Sequence, residues 1–395
     1  MKSFLSNSLI MLIGANLGNG LNFLSHILIA RLLLPQDFGL FQSLISLTGI
    51  AGVIFSSLSL VIVNQASQTQ SKTFSIKPFF NLSFKLSLLL SLLLLILFPY
   101  LSLKLSIPNF GTYFIFLLIL LTSFIPVILG SLLQAKLQFY KVGLISITAG
   151  LTKLLFIWIF LNLNLKASGA LLAILATTII SSLLTYQLTK SYINHKSNKL
   201  PLKFILTTTM VNLGLISLIS SDVVLARVFF SPHQSGLYAA AASLAKIIFF
   251  AISPIFTVTF PLFSTVHLGG AHLLKQAGLL ISSLVILIFI IFKLNPQSII
   301  NLIYDTNYQS ASTFLPLLSL TMLIYTLFYL SIQYLLAKHH PSTVKIISAT
   351  AILQILLIIF YHPTPTSIIT NSIISISTGL LLCLTKVSPL LKINK

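Results

Sequence analysis

The chain has 395 residues, 56% of them hydrophobic and 7% charged, with a mean hydropathy of +1.05. A water-soluble domain of that length could not keep so apolar a composition off its surface, so a soluble enzyme or regulator is excluded and a polytopic membrane protein is implied. The formal charge of +20 comes from 23 Lys and Arg against three acids, Asp37, Asp222 and Asp305.

Twelve apolar runs of about 20 residues or more are separated by short polar breaks, which suits helices crossing a hydrocarbon core rather than barrel strands. In chain order they are predicted at 7–30, 39–63, 79–100, 110–133, 142–163, 167–189, 204–229, 236–263, 276–293, 310–336, 343–361 and 366–385. The first follows a single lysine, is broken by Asn16, Asn19 and Asn22, and lacks a small-residue cleavage site, so it reads as a retained helix. Pro126, Pro254, Pro261 and Pro316, and the pair Gly14 and Gly18, mark places to kink or to pack closely. Cys383 stands alone and excludes an intrachain disulfide.

The basic residues sort by side. With the N-terminus inside, the even-numbered breaks and the termini hold sixteen of them, and the odd-numbered breaks hold five: Arg31, Lys104, Lys166, Arg227 and Lys293. Lys153 and Lys246, inside helices, complete the 23. By the positive-inside rule both termini are then cytoplasmic, and the charge needs no nucleic acid to explain it.

Both arginines lie in one phrase written twice, IARLLLPQDFGLF at Ile29 to Phe41 and LARVFFSPHQSGLY at Leu225 to Tyr238. The internal repeat predicts an all-α fold of two parallel-repeat six-helix lobes. Their expected bounds are 1–190 and 204–395, joined by a basic cytoplasmic linker at 191–203. No break is long enough for a soluble domain.

Polar groups inside apolar helices need a reason. Asn16, Asn19, Asn22 and His26 recur every three or four residues and cover an arc of roughly 120°. They are either interhelical glue or a hydrated wall that holds sugars. Lys153 in GLTKLLFIW and Lys246 in AAASLAKIIFF each cost at least ~2.5 kcal/mol against lipid. With Ala239, Ala242, Ser243 and Ser253 on its face, Lys246 is expected to have space beside it for a guest. Asp222, the only acid expected within a helix, could pair with Lys246 or Arg227, or titrate as a coupling carboxylate for H+ or Na+; Asp37 and Asp305 are expected in loops. One acid cannot neutralise two lysines, so an anion from outside the chain is the economical counter-ion. Arg31 and Arg227 suit bidentate binding of phosphate or carboxylate, and equally suit snorkelling to the interface. There is no phosphate-cradling glycine loop, no metal-ligand pair and no catalytic constellation, so no cofactor, metal or enzymatic activity is expected.

These segments, with TFPLFS at Thr259 to Ser264, YDTNYQSASTFLPLLSL at Tyr304 to Leu320 and the Gly169-Ala170 pair, resemble the polysaccharide-transporter (Wzx-type) flippases of the MATE-like superfamily over nearly the whole chain. The resemblance implies an alternating-access cycle with a lipid-pyrophosphate-linked oligosaccharide as cargo, and carries over Arg31, Gly39, Asp222, Arg227, Gly236 and Tyr238. The segment HPTPTSIITNS at His362 to Ser372 departs from the family in lacking its Gly-Ala pair, and the two further helices often seen there are missing.

The expected function is a flippase in the cytoplasmic membrane that moves a polyprenyl-pyrophosphate-linked glycan to the outer leaflet, with membrane lipids and polysaccharide-assembly proteins as its partners. A lipid II flippase differs only in cargo, a drug or cation antiporter would need more acids, and a membrane glycosyltransferase, polymerase or ligase would need catalytic groups on a sizeable outer loop.

Overall fold

A computed structural model describes the backbone of residues 2–68, 74–194, 201–265, 270–338 and 340–393. Its described side chains begin at Leu17 and exclude those of Asn194, Pro254, Thr257, Val258, Phe260 to Leu262, Ser264, Thr265, residues 270–273 and residues 389–393. Asn16, Gly14 and Pro261 therefore lie outside the described side chains, and so does the linker stretch 195–200 outside the described backbone.

The chain divides into two compact units, Met1–Thr209 and Met210–Lys395. The first holds α1 (Lys2–Leu32), α2 (Pro35–Gln68), α3 (Lys77–Ile96), α4 (Phe98–Leu105), α5 (Phe110–Thr122), α6 (Phe124–Ala135), α7 (Phe139–Asn162) and α8 (Lys166–Thr189). A two-residue parallel pairing joins β1 (Phe74–Ser75) to β2 (Ile193–Asn194), tying the chain after α8 back to the loop before α3. Then come α9 (Leu202–Phe229), α10 (Pro232–Ala245), α11 (Ile247–Thr265), α12 (Gly270–Leu294), α13 (Pro296–Ile303), 3-10 turns at Thr306–Thr313, α14 (Leu315–Ala337), α15 (Ser342–Phe360) and α16 (Pro365–Ile393).

Among the described residues eleven helical stretches are long and apolar enough to cross a membrane, counting α5 with α6 and α10 with the start of α11. At 31 residues α1 is long enough to be a twelfth. The protein is thus an all-α polytopic membrane protein.

The helix ends depart from the predicted runs where local chemistry intervenes. The run 79–100 stops at Ile96, and α4 restarts with Pro99 in its first turn, as α13 restarts at Pro296 after α12. Proline has no N–H to continue a helix but suits its first turn. The left-handed Ser106, at φ 50°, ends α4, and the Asn109 side-chain Oδ1 accepts from the Thr112 N–H at 2.8 Å to cap α5. Pro126 cannot donate to the Thr122 carbonyl, and the α5–α6 break falls there, at Ser123. Pro316 lies in the first turn of α14, so it starts a helix rather than kinking one. Asp37 is in the first turn of α2 rather than in a loop, where its charge favours the helix N-terminus.

The packing scheme is the same within each unit. In the first, α7 lies on α1 and α8, α2 on α6, and α3 on α5; in the second, α15 lies on α16, α11 on α14, and α12 on α14. The core of the first unit includes Phe55, Leu58, Phe124, Ile128 and Leu132, and takes in Ile205 from the opening turns of α9. The contact boundary between Thr209 and Met210 therefore falls inside a helix, beyond the linker.

Candidate functional site

In the first unit α1 and α7 approach closely because their meeting residues are small. A Cβ on Gly18 would collide with the Ser146 hydroxyl, and one on Gly150 would lie 2.6 Å from the Leu21 Cβ. That contact brings Lys153 of α7 to Asn22 of α1, and the Nζ donates to the Asn22 Oδ1 at 2.7 Å. Lys153 is half-buried and Asn22 exposed. Among the described residues this neutral amide is the hydrogen-bond partner of the ammonium, which has no carboxylate beside it. Asn19 is exposed, and the half-buried His26 ring lies 6.3 Å from the Phe41 ring.

In the second unit Asp222 of α9 is 5% exposed. Its Oδ2 accepts from the Tyr238 hydroxyl of α10 at 2.8 Å, and its Oδ1 has no hydrogen-bond partner among the described residues. Lys246 lies where α10 passes into α11, inside one membrane-length stretch, with its N–H bonded to the Ala242 carbonyl and its carbonyl to the Phe250 N–H. Its side chain is buried within electrostatic reach of Asp222, without an ion pair to it among the described residues. On the same face Ala239 and Ala242 are buried, and Ser243 and Ser253 are half-buried.

The two arginines, equivalent in sequence, differ in setting. Arg31 is exposed in the last turn of α1. Arg227 is 4% exposed, and its Nη1 donates to the Pro232 carbonyl and to the Ser235 hydroxyl, each at 3.2 Å. This guanidinium fastens the end of α9 to the start of α10.

Packing sets the register of the repeat. A Cβ on Gly214 of α9 would collide with the Ile347 side chain of α15, as one on Gly18 would with Ser146. The offset that takes Gly18 to Gly214 and Arg31 to Arg227 takes Asn22 to Leu218 and His26 to Asp222. The offset from Ser146 to Ile347 takes Lys153 to Gln354. Gln354 makes the same bridge as its counterpart, its Nε2 donating to the Leu218 carbonyl at 3.1 Å and also to the Ser372 hydroxyl at 2.8 Å. Phe41 corresponds to Tyr238, so the hydroxyl is present in the copy that has a carboxylate to bind it.

Gln354 was not singled out in the sequence. Its signal was a polar side chain inside AILQILLIIF, the same kind of interruption that drew attention to Lys153. Among the described residues no group of three or more His, Cys, Asp or Glu is placed to hold a metal. What the arrangement offers is an ammonium on neutral ligands in one unit and a carboxylate on a phenol in the other, both on membrane-length helices.

Comparison with known proteins places this geometry. A search of curated protein sequences gave no match. Among solved structures, an inward-facing multidrug resistance MATE family transporter of the MOP superfamily superposes with a TM-score of 0.74 at 14% identity, over 94% of each chain. The lipid II flippase MurJ, in an inward closed conformation, gives 0.74 at 17% identity over 97% of this chain and 87% of its own. A MOP superfamily transporter from Pyrococcus furiosus, described as having a binding pocket of reverse polarity, gives 0.61 at 17% identity over 98% and 95%. At such identities the likeness establishes the fold. The sequence profile of polysaccharide biosynthesis proteins matches residues 4–267, more than half of the chain. With that match the chain belongs to the polysaccharide biosynthesis protein family, and its fold is that of the MATE-like transporters.

Proposed function

We propose that the protein is a flippase that carries a polyprenyl-pyrophosphate-linked oligosaccharide from the cytoplasmic to the outer leaflet of the cytoplasmic membrane, by alternating access, for polysaccharide biosynthesis or export. The observation that carries the reading is Lys153, a cation inside a membrane helix whose partner is the neutral Asn22. A charge kept there costs ~2.5–3.5 kcal/mol and is expected to serve a purpose, and an amide leaves it positive for an anionic cargo. Lys246 adds a second cation on the same reasoning, Asn16, Asn19, Asn22 and His26 offer hydrogen bonds to sugars, and Arg31 and Arg227 lie at the ends of matched helices. Family membership supports the glycan, and the fold shared with a lipid II flippase supports a lipid-linked form of it.

The fold is also shared with a multidrug transporter. Against a cation antiporter stands the supply of acids: of three in the chain, Asp222 alone lies deep in a membrane helix. The same scarcity weighs against a glycosyltransferase, polymerase or ligase. Asp222 is assigned to coupling with H+ or Na+, supported by its unbonded Oδ1 and by the Gln354 Oε1, likewise without a partner among the described residues, on a side chain that reaches the turn before Asp222. Both termini are placed in the cytoplasm by the lysine asymmetry, where polysaccharide-assembly proteins would meet them.

The test is ligand stabilisation of the purified protein in nanodiscs. Undecaprenyl-pyrophosphate-linked sugar raises the unfolding temperature and ethidium does not, because a ligand that binds the folded state stabilises it. Stabilisation by ethidium and none by the pyrophosphate lipid moves the protein to the antiporter branch.

A further inference from the structure

The two units bridge their first and fifth long helices at one register with different chemistry. In the second unit both N–H groups of the Gln354 amide are spent, one on the Leu218 carbonyl and one on the Ser372 hydroxyl, and the side chain is fully buried. The bridge there is closed. In the first unit Lys153 makes its counterpart with one of the three donors an ammonium carries, the one aimed at the Asn22 Oδ1. Lys153 is half-buried and Asn22 exposed, so the bridge there is open to a ligand. Gln354 joins the corresponding helices of the second unit with a neutral side chain. The charge of Lys153 is therefore surplus to the join.

Resting on the flippase reading, we propose that Lys153 is the phosphate-binding group of the first unit and that Asn22 is its positioning residue: Asn22 holds one ammonium donor so that the other two meet phosphate oxygens of the cargo. An ammonium is a flexible point charge on a long stem, and fixing one donor selects the direction of the rest. The positioning group has to be neutral, since a carboxylate at Asn22 would itself be the counter-ion.

Two substitutions separate the join from the charge. Lys153→Gln copies the other unit, keeping a donor for Asn22 and removing the cation. Asn22→Asp keeps the cation and the contact and adds a fixed anion. Neither is expected to lower the unfolding temperature of the ligand-free protein in nanodiscs. Undecaprenyl pyrophosphate stabilises the wild type, phosphatidylglycerol at the same mole fraction does not, and each variant binds the pyrophosphate lipid about tenfold more weakly or worse, the loss expected for one charge-assisted hydrogen bond.

Equal stabilisation of wild type and both variants overturns the assignment of Lys153 while leaving the flippase reading intact. Failure of the wild type to respond to undecaprenyl pyrophosphate overturns both. Equal response of the wild type to phosphatidylglycerol overturns it in favour of a bulk-lipid site. If Lys153→Gln does not fold, the join itself needs the ammonium and the proposal fails on that arm; Asn22→Asp, binding as wild type does, would sink it independently.

Discussion

Removing the Tyr238 hydroxyl tests whether Asp222 is held as an anion. Tyr238 is fully buried, its oxygen donates to the Asp222 Oδ2 at 2.8 Å, and its ring packs 6.2 Å from that of Phe314. Phe41 occupies the same place in the other copy of the repeat, so Tyr238→Phe removes the hydroxyl while leaving a ring the register accommodates. The variant leaves neither carboxylate oxygen hydrogen-bonded among the described residues. Losing a bond to a charged group costs about 1.5–3 kcal/mol, against about 0.5–1.5 kcal/mol for a neutral pair. In an Asp222→Asn background the same change should therefore cost about half as much, giving a coupling of about 1–1.5 kcal/mol. Reversible unfolding of the four proteins of this cycle in mixed micelles measures it. Equal cost of Tyr238→Phe in both backgrounds refutes the argument that Asp222 carries a charge held by the phenol.

Other expectations follow from packing and topology. Gly18→Ala should destabilise by about 1–3 kcal/mol because the new Cβ would crowd the Cβ and backbone of Ser146 as well as its hydroxyl, whereas Gly20→Ala, with nothing within 4 Å of its Cβ position, should be neutral or stabilising by up to ~1 kcal/mol in the same unfolding assay. Arg227→Ala should lower thermal stability more than Arg31→Ala, by about 1.5–3 kcal/mol, since the buried guanidinium donates to the Pro232 carbonyl and the Ser235 hydroxyl across the α9–α10 turn. A reporter fused after Lys199 should be cytoplasmic and one near Asp305 extracytoplasmic, from the lysine and arginine asymmetry; both on one side would end the two-lobe topology.

The long helices were legible because a bilayer imposes a length of apolar sequence that few other structures share. Their breaks were not. A helix apolar on every face gives no periodic signal, so the restarts at Pro99 and Pro296 and the junction at Lys246 merged into the neighbouring runs. Lys153 stood out as a charge among Leu and Phe. Its partner could not be read, because which asparagine of the stripe it meets depends on the rotation of α1 against α7, and that is fixed by Gly18, Ser146, Gly150 and Leu21 in space. The fate of Arg227 was hidden for a related reason: the sequence shows an arginine before a proline and does not show that the turn folds its carbonyl back onto the guanidinium.

The internal repeat offers a control that a single lobe lacks. Where both copies keep a residue in the same tight contact, as at Gly18 and Gly214, one packing scheme needs it in both units. Where the copies differ, the scheme is satisfied either way, so the difference cannot be charged to folding. Lys153 against Gln354, Asn22 against Leu218, His26 against Asp222 and Phe41 against Tyr238 are such positions, and they include the groups that form the two polar centres. In the first unit the differences leave a lysine on a neutral amide, and in the second they leave a carboxyl group on a phenol with the buried Lys246 within reach. A membrane helix that can be built with an amide and an apolar residue at those places has no evident packing need for ionisable groups there. On the proposed function, the demand on them comes from what moves through the membrane, an anionic cargo for the first centre and a coupling cation for the second.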